Sequence, residues 1–328
     1  MTEMKKVEEA IGSKSIGWQG LELQVPEDWN FSVESGRQRQ GFVRLSSSSS
    51  SFELKWEKME KKKEFSLESV VDKFIEKLRK TDKKVKLLKK GSEEVFGHNA
   101  LYFHFESEYK GYGTVWYCEE EEKVFLGLFS FKPEYKEARL TFKRCLDSIK
   151  CHTLDDWSTW ALFRFSFKTP SKFELIKRRF LVGHTTLALC EEKAHPFCTE
   201  RSEVFFQYWS PANVKFEETY NDMEKWFENF YESELKKRYN VKVKDERLRN
   251  TKINGHRAKI LKTIIKGGLI GRNIIRNGTY MWYCPETNRV YALTLSKGVH
   301  KTLFVPSKKY EAVPTRMFGK ILTSFSCH

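Results

Sequence analysis

Glutamine, cysteine and long apolar runs are all scarce in this 328-residue chain. No stretch approaches the roughly 20 apolar residues that a helix needs to cross a bilayer. Met1 to Lys14 reads MTEMKKVEEAIGSK, with neither an apolar core nor a small-residue cleavage pattern. A soluble cytoplasmic protein with no membrane partner is expected. Seven cysteines are an odd number and too few for a disulfide scaffold, which fits a reducing compartment. Little Gln beside abundant Lys and Glu leans towards a thermophile. Catalytic signatures are missing too. Lys266-Gly267-Gly268-Leu269-Ile270-Gly271-Arg272-Asn273 has the glycines of a phosphate loop but not its Gly-Lys-Ser/Thr ending. No helical pattern follows it to offer an N-terminus to phosphate. Neither an enzyme nor a bound cofactor is expected.

Acid is the last scarcity, and it is local. The formal net charge is +15, yet residues 1–157 hold 28 basic and 28 acidic side chains. Residues 158–328 hold the remaining 31 basic and 16 acidic ones, and 235–328 alone carry 21 basic against 4 acidic. Such lopsidedness bears on partners and association rates, not on fold.

What is present is a run that occurs twice. Gly97-His98-Asn99-Ala100 precedes Trp116-Tyr117-Cys118, and the first half closes on Cys151-His152. Gly255-His256-Arg257-Ala258 precedes Trp282-Tyr283-Cys284, and the second half closes on Cys327-His328. Phe142, Leu146, Ser148, Cys151 and His152 each recur 176 positions later as Phe318, Leu322, Ser324, Cys327 and His328. An internal repeat of this length signals a duplicated unit. The organisation expected is an N-terminal extension over 1–15, a neutral first repeat over 16–152, a linker at 153–157 and a basic second repeat over 158–328.

Each half reads as β-β-β-α-β-β-β-α. In the first, Trp18–Val25, Gly41–Leu45 and Phe52–Glu57 alternate apolar and polar residues, the signature of a half-buried strand. Ser46 to Ser51, six serines in a row, reads as a flexible hairpin loop. Ser66 is placed to cap a helix whose stripe is Leu67, Val71, Phe74 and Leu78. Further strands follow at Val115–Cys118 and Val124–Phe131. Ala138, Phe142, Cys145, Leu146 and Ile149 form the closing helix. The second half replays this with Tyr220, Met223, Phe227 and Phe230 in its first helix. Strands grouped in hairpins with helices between them define an α+β fold, an antiparallel sheet carrying helices.

Leu21-x-Leu23-x-Val25-Pro26-x-x-Trp29, the helix after it, Gly97-His98-x-Ala100 and the closing helix together resemble the PsbP-like fold. That fold is shared by lumenal proteins of photosystem II, a small Ran-GTPase-binding factor and many short microbial proteins. The resemblance covers the chain as tandem copies. It implies binding to other macromolecules and carries no shared catalytic residues.

Several side chains are candidates for chemistry. His98 and His256 follow turn glycines, and their expected role is to satisfy a local backbone group. Cys118 and Cys284 are expected as small buried hydrophobes, and Cys151-His152 and Cys327-His328 each supply half a metal site at most. The denser grouping is His184, Cys190, His195 and Cys198. It is read first as free thiols, then as a Cys190–Cys198 disulfide, and last as zinc. Glu119 to Glu122 reads as a solvated turn. The strongest signal is basic: Lys236, Lys237, Arg238, Lys242, Lys244, Arg247, Arg249, Lys252, Arg257, Lys259, Lys262, Lys266, Arg272 and Arg276, interrupted only by Asp245 and Glu246. Clustered cations bind polyanions by releasing condensed counterions. RNA or a ribonucleoprotein such as a ribosomal particle is the expected partner. An acidic protein is the alternative, and a metal-dependent enzyme is the third class.

Overall fold

Short turns with left-handed residues punctuate both halves and fold the alternating segments into antiparallel hairpins. The computed structural model describes residues 12–59, 66–106, 110–196, 198–239, 248–267, 273–301 and 313–328. The chain divides into two units, Met1–Phe163 and Arg164–His328.

In the first unit a seven-stranded sheet has the order β3-β4-β5-β9-β8-β7-β6. Its strands are β3 (Asn30–Gly36), β4 (Gln40–Ser46), β5 (Ser50–Lys58), β6 (Lys86–Val95), β7 (His98–Glu106), β8 (Lys110–Cys118) and β9 (Lys123–Phe131). Helix α1 (Leu67–Thr81) lies between β5 and β6, and α2 (Ala138–Ser148) follows β9. Ser66 caps α1 by accepting from Ser69 N at 3.1 Å. A separate pair, β1 (Ser13–Trp18) and β2 (Leu21–Pro26), is antiparallel, and β10 (Trp157–Leu162) pairs with β1.

Odd-numbered positions of β7 face α1, where Leu101, Phe103 and Phe105 meet Val71 and Ile75. The opposite face buries Trp29, Phe52, Phe129 and Phe142, with Trp29 and Phe129 stacked at 5.7 Å and Phe129 and Phe142 at 5.8 Å. That second face also carries the closing helix.

The second unit repeats the order as β12-β13-β14-β18-β17-β16-β15. After β11 (Phe165–Pro170), the strands are β12 (Glu174–Leu181), β13 (His184–His195), β14 (Cys198–Trp209), β15 (Arg249–Ile253), β16 (His256–Gly267), β17 (Asn273–Cys284) and β18 (Arg289–Lys301). Its helical stretch is α3 (Met223–Trp226), a π-turn at Phe227–Tyr231 and α4 (Glu232–Tyr239), and α5 (Thr315–Thr323) closes the unit. Trp226, Phe227, Tyr231 and Leu235 pack on Leu261 and Met281 of the sheet.

Several expectations are corrected. Trp18–Val25 is not one strand, because Gln19 and Gly20 turn the chain at φ 53° and 88° and make β1 and β2 a hairpin. Five strands precede the first helix of the first unit and five follow it, four before the closing helix and β10 after it. The six serines do not form a loose loop. Ser46 ends β4, Ser50 and Ser51 begin β5, and Ser47 Oγ accepts from Ser50 N at 3.2 Å. The unit boundary falls after Phe163 rather than at 153–157, since β10 is held by β1. Eight extra residues between Gly255 and Trp282 lengthen β16 and β17 to 12 residues each, against 9 in β7 and β8. No helix among the described residues is long and apolar enough to cross a membrane.

Candidate metal centres

The repeated tetrapeptide places its histidine by a two-residue turn. Phe96 and Gly97 take φ 51° and 80°, so Val95 and His98 pair across the β6–β7 hairpin. Glycine suits the second position because its missing Cβ removes the cost of positive φ. Asn254 and Gly255, at φ 45° and 80°, set His256 opposite Ile253 in the same way.

Strand register then chooses the histidine's neighbour. Ala100 pairs with Trp116, and continuing that antiparallel register brings His98 opposite Cys118, the last residue of β8. Ala258 pairs with Trp282, which brings His256 opposite Cys284 in turn. The remaining two groups arrive from the closing helix. After α2, Lys150 bridges to Glu22 of β2 and so aims Cys151-His152 back at the sheet. After α5, Ser326 bridges to Ser166 of β11 and aims Cys327-His328 likewise.

The result is one Cys2His2 quartet in each unit. His98, Cys118, Cys151 and His152 bring one donor atom apiece within 4.8 Å of one another, as do His256, Cys284, Cys327 and His328. Cys118 Sγ lies 3.4 Å and Cys151 Sγ 3.7 Å from His152 Nδ1. Cys327 Sγ lies 3.2 Å from His256 Nε2 and 3.3 Å from His328 Nδ1, and Cys284 Sγ lies 3.5 Å from that same nitrogen. The imidazoles meet edge to face at 5.5 Å in both units. A carboxylate stands at each rim, Glu120 at 3.5 Å from Cys118 Sγ and Glu286 at 3.2 Å from Cys284 Sγ. In the first unit the quartet's two histidines, His98 and His152, line an open groove of about 850 Å³ together with Phe96, Tyr117 and Leu154.

Protonation follows from the crowding. The Cys118 thiol donates to Cys151, which raises Cys118 and lowers Cys151. Burial pushes Cys327 up to about 12 and lowers His256, with Glu286 opposing the latter.

The expected local role of the turn histidine is therefore corrected. His98 Nε2 is buried and makes no hydrogen bond, and it faces the quartet instead of a backbone group. Cys118 and Cys284 are buried, but among donors rather than hydrocarbon alone. The missed signal was in the repeat: His98, Cys118, Cys151 and His152 are the ligand-type residues that recur, whereas His184, Cys190, His195 and Cys198 have no counterparts.

That second grouping is not a site. His184 and His195 are the two ends of β13, about 36 Å apart at roughly 3.3 Å per residue. Cys190 pairs with Glu203 and Cys198 with His195, a separation of five residue steps or about 17 Å. That is too far for a disulfide, and both thiols are free.

His184 has a structural role. It stacks on Trp209 at 5.0 Å, and its Nε2 accepts from Gln207, whose own oxygen accepts from Tyr231. Burial lowers it from 6.5 to about 4, helped by Lys215 and Arg179 and opposed by Glu234. The unfolded chain thus binds a proton that the folded one refuses between those values. The contribution is complete above about pH 6.5 and is lost as pH falls towards 4. Denaturant midpoints should drop across this window, and His184→Gln should flatten the drop. An equally steep fall in the variant would assign the acid sensitivity elsewhere.

The basic residues are only partly gathered. Lys242, Lys244, Arg247 and Arg272 lie outside the described residues, as do the side chains of Lys236, Arg238 and Lys266. Lys237 pairs with Glu234 at 3.2 Å and Lys259 with Glu224 at 3.0 Å. Strand alternation divides the rest. Lys252 and Arg257 are cross-strand partners on the face that carries α3, while Arg249, Lys262 and Arg276 take the other.

No family model matches this sequence, and no curated protein matches it. Among solved structures the chain is similar to PsbP (CyanoP) of the cyanobacterium Synechocystis sp. PCC 6803. The identity is 10% and the TM-score 0.35, over 43% of this chain and 92% of that one. It is also similar to the T6SS immunity protein TplEi of Pseudomonas aeruginosa in its apo form, at 13% identity and TM-score 0.35 over 97% of both chains. The same protein complexed with "L" peptide matches at 11% identity and TM-score 0.33, over 97% of this chain and 98% of that one. Likenesses of this strength carry no function across.

Proposed function

We propose that this is a non-enzymatic binding protein, two tandem PsbP-like units of which the second docks on RNA or a ribonucleoprotein such as a ribosomal particle. The observation that supports this reading is the β15–β16 edge. Residues 248–285 contain 8 Lys and Arg and no Asp or Glu. Lys252 and Arg257 stand directly opposite each other, both exposed, and no carboxylate of the described residues pairs with either. Like charges facing across strands are destabilising. A lysine on an edge strand also blocks unwanted strand pairing, but one charge would serve for that. The opposed pair, with Arg249 and Lys262 on the other face, gives an edge that phosphates can line on both sides.

The test is binding of fluorescent single-stranded RNA by the full chain across a salt series. With three or four phosphates engaged, the logarithm of affinity should fall against that of salt with a slope of about −2 to −3. Lys252→Glu with Arg257→Glu should weaken binding by about tenfold or more. Unchanged affinity in that variant would overturn the reading. A stoichiometric acidic protein recovered after nuclease treatment would replace RNA as the partner.

A further inference from the structure

We infer that each quartet binds one Zn²⁺ in a closed tetrahedral site, through Cys118, Cys151, His98 Nε2 and His152 Nδ1 in the first unit and Cys284, Cys327, His256 Nε2 and His328 Nδ1 in the second. The geometry is the first ground. Zinc at about 2.3 Å from sulfur and 2.0–2.1 Å from nitrogen makes a tetrahedron with donor–donor edges of about 3.3–3.8 Å. Five of the eight sulfur–nitrogen separations in the two quartets run from 3.2 to 3.7 Å. All four donors of each quartet lie within 4.8 Å of one another, so small side-chain shifts bring them to the corners of a zinc polyhedron.

The second ground is a set of buried polar atoms that no oxygen or nitrogen acceptor or donor satisfies. His98 is only 10% exposed, and its Nε2 makes no hydrogen bond, the Glu120 carboxylate standing off at 3.7 Å. The fully buried indole N–H groups of Trp116 and Trp282 meet no oxygen or nitrogen acceptor. They bear on the sulfurs of Cys151 and Cys327 respectively. Donors aimed at metal-bound thiolates are the usual outer support of such a site. The two indoles take matching positions in the two units and share that one kind of sulfur partner, which asks for one explanation.

Charge is the third. Two thiolates neutralise the dication, so the occupied site buries no net charge, and metal uptake releases two thiol protons. Soft sulfur with imidazole in a tetrahedral arrangement selects zinc over calcium or magnesium. Four protein ligands leave no position for water or substrate, so the ion is structural. It pins the segment after the closing helix to the hairpin turn and the strand end, and it does so once in each unit.

Metal analysis of the full chain, purified in reductant without chelator, tests this directly. Two zinc ions per chain are expected. Cys118→Ser with Cys151→Ser should leave one, Cys284→Ser with Cys327→Ser should leave one, and all four together none. Because such variants can misfold, the unaltered chain is also stripped and titrated with Co²⁺. Two equivalents should then give the visible bands of tetrahedral thiolate-bound cobalt. Glu120→Gln with Glu286→Gln is the control and should keep both ions. The proposal is overturned if the stripped chain binds no Co²⁺. It is equally overturned if the native chain's mass shows Cys118–Cys151 and Cys284–Cys327 disulfides, or if the ions leave with the glutamates and stay without the cysteines.

Discussion

Stripping zinc from the chain should lower the thermal midpoints of both units, and adding zinc back should restore them. A ligand that binds only the folded state stabilises it by RT ln(1 + [L]/Kd), about 4 kcal/mol when free metal stands a thousandfold above Kd. For units of this size about 1 kcal/mol moves the midpoint by roughly 2–4 °C, so the expected loss is on the order of 10 °C. The stripped state keeps an additional burden, since His98 Nε2 stays buried with no hydrogen bond and the Trp116 and Trp282 indoles have only cysteine sulfur to meet. It should not unfold outright, because each unit has aromatic layers of its own on both sheet faces. The measurement is calorimetry with and without chelator, the four-cysteine variant serving as reference. A midpoint that ignores the chelator while metal analysis shows both ions removed would mean that the sites carry no structural weight.

Trp226→Ala should be the most damaging single core change in the second unit, costing about 3–5 kcal/mol. Trp226 is fully buried. It meets Trp209 edge-on at 5.4 Å and Phe216 at 5.7 Å, and it stacks on Tyr231 at 5.1 Å. These aromatics hold the helical stretch from Met223 onward against Leu261 and Met281. Removing the indole empties the centre of that layer, and its neighbours are rings that cannot flow into the space. Chemical unfolding should show a lowered transition, while metal at the first quartet stays bound, since no ligand of that site belongs to this layer. A cost under about 1 kcal/mol would show that the layer relaxes freely around the gap.

The turn chemistry was legible from the first reading. Gly97 and Gly255, each before a histidine, mark hairpins, and the helix opened by Ser66 runs as its stripe of Leu67, Val71, Phe74 and Leu78 requires. Strand count was harder. Val33 and Glu34 lie on an outer strand and are not strongly buried, so β3 shows little of the alternation that marks its neighbours. The serine tract misled because composition reports what a segment has to bury, not whether its hydroxyls can bond its own backbone, as Ser47 does.

The basic residues gave the opposite lesson. Their clustering in sequence was plain, but neighbours on a strand point to opposite faces. A run such as Lys252, Arg257, Lys259 and Lys262 is therefore split by the pleat and partly neutralised by Glu224.

By itself the sequence determined the repeat, the antiparallel α+β class and the identity of every ligand-type residue in the quartets. Which of those residues meet was decided only by the tertiary structure. Twenty residues separate His98 from Cys118 and thirty-three more separate it from Cys151, distances along the chain over which no local spacing rule operates. Their meeting depends on the register of β7 on β8 and on the bridge from Lys150 to Glu22. Periodicity tells a side chain which face to take, while strand order tells it whom to face there, and strand order is a property of the folded chain.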